Sequence, residues 1–260
     1  MITKGLALLV ASILGVSCVS TSTPTTPPST LTYRKPEAAA KVYKPPGEWP
    51  IRSEEDLEIF KTKLGASVVK KNGVWIVDLK GGILDGSKQK GDGGQSEDQT
   101  PLLRAYIPLQ LRKGFVRNNK NAIVFYKSNS GVDRVTWLTV GEDAVATADN
   151  AKNFTVQNCE FINSAKGDKS IQLNEADGAK ILNNLVYGGL TGARIGKIDF
   201  TDKTDAATCA ANKFVNVETA FNVAEMTLEV TEKNTYTGVR SPFKAHDGAR
   251  IINPDGSVEK

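Results

Sequence analysis

The sequence predicts an all-β fold, a solenoid of stacked coils that is preceded by a short capping helix. After residue 66 it contains short β-type runs separated by Gly, Asn, Asp and Ser, and no long helical period appears before residue 197. The runs recur, because Val135, Val156, Ile181 and Phe214 are 21, 25 and 33 residues apart, and an Asn follows each of the last three two positions later. Such repeats are typical of solenoids. An irregular β-sandwich is the alternative.

The N-terminal fifty residues are predicted to export and tether the protein. Residues 1–17 combine Lys4 with an apolar run shorter than the roughly 20 residues that a bilayer requires, which indicates a signal peptide. Residues 14–18 resemble a bacterial lipoprotein box, which would make Cys18 the acylated N-terminus; secretion without a lipid is the alternative. Residues 18–50 hold seven of the eleven prolines and predict a semi-stiff tether. We expect a protein anchored to a bacterial outer membrane or cell surface, or secreted.

A globular domain is predicted over residues 51–260, and it begins with an amphipathic helix. The segment 53–65 starts with Ser53, has acidic residues in its first turn, places apolar residues at helical spacing and ends at Gly65. Its apolar stripe predicts that the helix covers one end of the strands that follow. The polar excess at residues 197–208 is typical of a loop that extends from one coil.

Composition excludes several kinds of site. The single histidine, His246, argues against His-rich zinc sites and against a Ser-His-Asp triad. Cys18, Cys159 and Cys209 form no Cys-x-x-Cys pair and no disulfide framework, and the last two are either buried thiols or a bridge. The formal net charge of +4 comes without a dense basic block, so we expect no nucleic-acid partner, whereas an acidic polymer is compatible. Catalysis would rest on carboxylates, Lys, Arg or a hard metal ion.

A row of polar residues keeps the phase of the strands. Its members are Asn121, Glu142 with Asp143, Lys169 and Arg194, which precede the repeated strands by 14, 14, 12 and, across the insertion, 20 residues. If coils stack at roughly 4.8 Å, these side chains form a ladder along one face. Two carboxylates and an amide oxygen suit calcium, and a Lys and an Arg on later coils would project over its ligand. Charged side chains that only face water are the alternative.

Three segments resemble the pectate lyases of polysaccharide lyase family 3. They are Gln-Ser-Glu-Asp-Gln within residues 91–101, Val-Gly-Glu-Asp-Ala within 135–144, and residues 167–174. The resemblance runs in order from about Gly81 to Arg194. It implies a right-handed parallel β-helix, calcium as cofactor, and cleavage of polygalacturonate by β-elimination. We expect a monomer whose partner is this acidic polysaccharide and which meets a membrane only through its lipid anchor.

The motifs also imply roles for individual residues. The resemblance assigns calcium binding to Glu142 and Asp143, the catalytic base to Lys169, and binding of the substrate carboxylate to Arg194, which thereby takes part in catalysis. Lys197 is a further candidate for substrate binding. Elimination removes the C5 proton beside the uronate carboxylate, and calcium together with Arg194 would acidify that proton. A lysine normally stays protonated to about pH 10.4, so we expect calcium and Arg194 to disfavour the ammonium form of Lys169.

The chain departs from the family pattern at two places. Asn121 stands where the family usually has a further calcium-binding Asp, and Thr136-Trp137 replaces a Trp-Trp pair. Asp133 is a candidate for the missing carboxylate, because the neighbouring coil is lengthened. Losing one carboxylate would weaken a calcium site, since affinity follows ligand charge. A β-helical polysaccharide-binding or structural lipoprotein without catalysis is therefore the second hypothesis.

Overall fold

The computed structural model is a right-handed parallel β-helix, which confirms the predicted fold. The structure describes residues 31–90, 100–148, 151–162, 169–174, 176–196 and 205–259. Each coil has three sides, and one side, face 1, is an eight-stranded parallel sheet. The strands of face 1 are Pro50–Ile51, Leu103–Ala105, Ile123–Phe125, Asp143–Thr147, Lys169–Leu173, Thr191–Ile195, Thr219–Ala224 and Ser241–His246.

A sixteen-stranded sheet bends around the other two sides of the coils, which we name face 2 and face 3. Two long strands, Leu109–Asn119 and Gly131–Val140, run through both faces. Face 2 also contains Val74–Asp78, Thr155–Gln157, Lys180–Leu182, Ala206–Ala210, Thr227–Val230 and Arg250–Ile252, with Ser67–Lys71 and Val258–Glu259 antiparallel at its ends. Face 3 also contains Val42–Tyr43, Ile83–Asp85, Glu160–Ile162, Leu185–Tyr187, Lys213–Val215 and Thr235–Thr237.

The strand register corrects two of the four predicted repeat positions. Val156 pairs with Ile181 on face 2, as predicted, but its partner on the preceding coil is Val132 rather than Val135. Phe214 lies on face 3 and is not equivalent to Ile181. Each coil buries apolar residues from face 2 and from face 3. An apolar residue of face 3 can therefore be mistaken in the sequence for a member of the face 2 repeat.

Asparagines define the corner between faces 2 and 3. Asn158 and Asn183 adopt left-handed backbone conformations there, and the Asn183 amide donates to the Asn158 side-chain oxygen at 2.9 Å. Asn216, predicted to be equivalent to them, is instead at the turn after face 3. These three asparagines are turn residues.

A second asparagine series lies inside the solenoid. Asn184, Asn212 and Asn234 are at the same position on successive coils and are at most 3% exposed. The side-chain oxygen of Asn212 accepts from the backbone N–H and the amide of Asn184, and Asn234 accepts from Asn212 in the same way. Asn184 accepts the backbone N–H of Cys159 at 2.9 Å. We name Asn184, Asn212 and Asn234 the asparagine ladder.

The predicted capping helix is present, in tight and wide turns rather than as a regular α-helix. A 3₁₀ turn covers Glu55–Leu57 and a π-helical turn covers Phe60–Leu64, and the apolar side chains that face inward are buried. Gly65 ends the helix with φ +67, as predicted. Ser53 does not supply the predicted side-chain cap; instead the Asp56 carboxylate accepts its backbone N–H.

Packed structure begins upstream of Ile51, within the segment predicted to be a tether. Val42–Tyr43 pairs with face 3, and Trp49 is only 9% exposed. Arg34 forms a 3.0 Å ion pair with Glu160. Aromatic and aliphatic residues among the prolines explain this packing.

The N-terminal signal and the lipidation site cannot be placed in the fold, because residues 1–17 and Cys18 lie outside the described residues. In the part of the chain that the structure describes, no helix combines the length and hydropathy needed to cross a bilayer. Cys159 and Cys209 are buried free thiols, not a bridge. Burial raises the pKa of each thiol to about 12, which makes both poor nucleophiles.

The buried Asp85 carboxylate should make folding sensitive to acid. Burial would raise its pKa, but hydrogen bonds from Asn118, Ser87 and Arg117 outweigh that effect and lower the pKa from 3.8 to about 2. Because the folded-state pKa lies below the unfolded-state value, this stabilisation is complete above about pH 5 and is lost as the pH falls toward 2. We expect Asp85 to contribute about 2 kcal/mol to this loss, measured by urea unfolding between pH 6 and 2.

Asp85→Asn should lower stability at pH 6 and flatten its pH dependence. Asp177→Asn, which changes a 40% exposed carboxylate, is the matched control and should keep the slope of the wild type. Parallel slopes for Asp85→Asn and the wild type would contradict the assignment.

Candidate functional site

Three of the predicted site residues occupy one column on face 1. Asp143 pairs directly with Lys169 on the next coil, and the register of the neighbouring strands places Asn121 one coil before Asp143. The Lys169 amine lies 3.7 Å from an oxygen of Asp143, and the two side chains are 12% and 10% exposed. The structure therefore brings an amine and a carboxylate together in a sheltered position on the outer side of face 1.

Arg194 lies on the same face but in a different column. It pairs with Gln172 on the preceding coil, whereas the residue in register with Lys169 is Thr191. Arg194 is thus one coil and three residues from Lys169, roughly 11 Å between Cα atoms at ordinary strand spacings. Long side chains on one face at that separation can contact the same sugar unit or adjacent units, but they do not form the single ladder that the sequence predicts.

A buried asparagine positions the start of the Asp143 strand. The Asn119 amide donates to the backbone oxygens of Asp143 and Ala144 at 3.2 and 3.3 Å, and Asn119 is 1% exposed. The backbone N–H of Glu142 donates to the Lys120 carbonyl at 3.1 Å, which joins the turn to the preceding coil. Asn119 was not among the predicted site residues, although the sequence places an Asn two residues before Asn121.

The donor atoms near Asp143 suit a hard cation but are partly engaged within the protein. Glu142, Asp143 and Asn121 offer carboxylate and amide oxygens, the ligand type that calcium prefers. The Asn121 side-chain oxygen accepts the backbone N–H of Ala122 at 2.6 Å, and Asp143 faces Lys169. Among the described residues, no group of three His, Cys, Asp or Glu side chains is arranged to hold a metal. The oxygen donors fit calcium in kind and include two carboxylates.

Asp133 does not replace the missing carboxylate. It belongs to face 2, where it pairs with Gln157, and so it lies on another side of the coil from Asn121. Its carboxylate binds Arg134 at 2.7 Å and accepts from Asn158 at 3.0 Å. Asp133 ends the face 2 part of its strand, directly before the corner between faces 2 and 3.

Two tyrosines extend face 1 toward the capping helix. Tyr106 and Tyr126 stack with ring centroids 4.5 Å apart, and the Arg52 guanidinium lies 5.0 Å from the Tyr106 ring centre. Arg104 donates to the Tyr126 hydroxyl at 2.7 Å and pairs with Glu48 at 2.9 Å. This half-buried aromatic and cationic group was missed in the sequence; its signal was a Tyr directly after two successive face 1 strands.

No protein-family model and no curated protein matches this chain. Residue roles taken from the pectate lyase resemblance therefore stay predictions. Lys197 and the motif residues 91–99 and 167–168 lie outside the described residues.

Proposed function

We propose that the protein cleaves polygalacturonate by calcium-dependent β-elimination on face 1. The observation that supports this most is the sheltered pair of Lys169 and Asp143 on adjacent coils, with Arg194 on the same face one coil further. A base, an acidic cation ligand and a guanidinium for the substrate carboxylate are the groups that elimination beside a uronate requires.

The chain's own residues would divide the work as follows. Arg194 would bind the uronate carboxylate by charge-assisted hydrogen bonds and orient the sugar. The neutral Lys169 amine would accept the C5 proton, the electron pair would form the C4–C5 double bond, and the glycosidic oxygen at C4 would leave. Glu142, Asp143 and Asn121 would hold calcium, which when bound would stabilise the negative charge that develops on the carboxylate. Because the base must be neutral, we expect the rate to rise from neutral to alkaline pH.

The unsaturated product provides a direct assay. Incubating the protein with polygalacturonate and calcium should give a steady increase in ultraviolet absorbance, and EDTA should abolish that increase until calcium is restored. Polygalacturonate with heat-denatured protein is the blank. A flat trace across neutral and alkaline pH in excess calcium would reject the lyase proposal.

A non-catalytic polysaccharide-binding lipoprotein is the second candidate. Asn121 in place of an Asp, with its side-chain oxygen bound to Ala122, favours this candidate. It predicts retention on immobilised polygalacturonate without absorbance change at any calcium concentration. Asn121→Asp separates the two, because turnover gained only in that variant would identify a decayed calcium site.

Export and lipid attachment through Cys18 are part of the same proposal, with the protein acting as a monomer on polysaccharide outside the cell. The support is the Lys4 and apolar pattern of residues 1–17 and the lipoprotein-like residues 14–18.

A further inference from the structure

A cationic surface lies at the corner between faces 2 and 3, on a different side of the solenoid from the candidate site on face 1. Two cavities of about 500 and 310 Å³ adjoin there and share Arg34, Gly81 and Phe115 as lining residues. We name the surface the basic groove, and its cationic residues are Arg34, Lys35, Lys41, Lys80, Lys113 and Arg134. Among the described residues, Glu37 is the only acidic side chain that lines either cavity.

Nearby carboxylates neutralise part of this charge but leave the cations accessible. Lys113 pairs with Asp78 at 2.8 Å and Arg134 with Asp133 at 2.7 Å, and both basic side chains remain 48% exposed. The partly exposed Lys113 pair contributes little stability, roughly 0–1 kcal/mol, whereas Arg134 also satisfies a buried carboxylate. The basic groove therefore keeps solvent-exposed positive charge although some of its cations also make ion pairs within the protein.

Backbone conformation gives an independent indication that these cations have a function. Lys80, Lys113 and Arg134 all have φ between +50 and +55, the left-handed region that disfavours long side chains. The later coils place Asn158 and Asn183 at this corner, the residue type that tolerates the conformation best, followed by Ala211. Three exposed basic residues at positions that suit Asn better point to selection for charge beyond the two ion pairs that Lys113 and Arg134 form.

The shape of the basic groove suits an elongated ligand with a repeated negative charge. Lys113 and Arg134 are on consecutive coils, and the Gly81 N–H donates to the Lys113 carbonyl, so the cations recur at about the coil spacing of 4.8 Å. Phe115 and Gly114 form part of an apolar floor. An apolar floor between cations can contact a sugar ring while the cations bind its carboxylates.

We propose that the basic groove is a second, non-catalytic binding site for an acidic polysaccharide, with uronate units lying across successive coils. This inference rests on the substrate class of the proposed function, but on none of its catalytic residues. Binding at the basic groove would hold the polymer near the protein while face 1 engages another stretch of it, which raises the effective concentration.

The triple variant Lys80→Asn, Lys113→Asn and Arg134→Asn tests the site with side chains that suit the left-handed conformation, and thermal unfolding verifies that it still folds after losing the ion pairs to Asp78 and Asp133. It is made in the full chain carrying Arg194→Ala, which weakens polygalacturonate binding at the candidate site on face 1. Binding of polygalacturonate is then measured by calorimetry in EDTA at low salt. We expect affinity to fall at least tenfold and its salt dependence to become shallower.

The matched control removes three charges elsewhere. Lys180→Asn, Lys213→Asn and Lys233→Asn change exposed lysines outside both cavities and should alter affinity less than threefold. Equal losses in both triple variants would overturn the proposal, since only net charge would then matter. Groove-dependent binding to phosphatidylglycerol vesicles without binding to polygalacturonate would also overturn it. Absence of lyase activity with groove-dependent binding intact would reject the proposed reaction alone.

Discussion

Replacing Lys169 by arginine is expected to lower kcat on polygalacturonate by about 10³-fold, within the range that a general base contributes. Arginine keeps a positive charge beside Asp143, 3.7 Å from the lysine amine in the wild type, so the column on face 1 keeps its ion pair. It cannot act as the base, because the guanidinium stays protonated. Thermal unfolding should therefore change little while turnover is lost.

Lys244→Arg is the matched control for this variant. Lys244 also faces outward from face 1, two coils beyond Arg194, so the same substitution there should leave kcat within a factor of two. Initial rates of absorbance increase at saturating polygalacturonate and calcium give kcat. A Lys169→Arg variant that retained more than a tenth of wild-type kcat would show that another group removes the proton.

The solenoid could be predicted because its signal is local and repeated. Each coil needs short apolar strands and tight turns, and both are visible as composition along the chain. The register could not be predicted to the same depth. Val135 and Phe214 were assigned to the series of Val156, yet Val135 lies at the corner before face 3 and Phe214 lies on face 3. A coil of varying length buries several apolar residues, and none carries a mark of its face.

In the candidate site, too, the spacing of the coils could be predicted but the position of a residue within its strand could not. Asn121, Asp143 and Lys169 align because the coils between them contain no long insertion. Arg194 is three residues out of the column, since side-chain type says nothing about the position within a strand. The basic groove could not be predicted for a different reason: it depends on left-handed residues at a corner and on Arg34, which was predicted to lie in the semi-stiff tether.

The asparagine ladder should be the most sensitive polar feature of the core. Replacing Asn212 by leucine removes the oxygen that accepts both the N–H and the amide of Asn184, and removes the donor to the Ile181 carbonyl at 2.8 Å. Each polar group left buried without a partner costs about 1–3 kcal/mol. We expect the free energy of unfolding to fall by about 4 kcal/mol, a large share of the 5–15 kcal/mol typical of a domain, as measured by urea denaturation.

Two further variants make this expectation specific to the asparagine ladder. Asn222→Leu changes a half-buried asparagine on the outer side of face 1 and should cost less than about 1 kcal/mol. Cys159→Asn places an amide one coil before Asn184, whose oxygen already accepts the Cys159 N–H, and should add about 1 kcal/mol by lengthening the ladder. Ladder amides that stabilise the core must respond both to removal and to extension of the ladder. If Asn212→Leu lowered the free energy of unfolding no more than Asn222→Leu, apolar packing rather than coil-to-coil hydrogen bonding would hold this corner together. The same conclusion would follow if Cys159→Asn lowered the free energy of unfolding as much as a core cavity does.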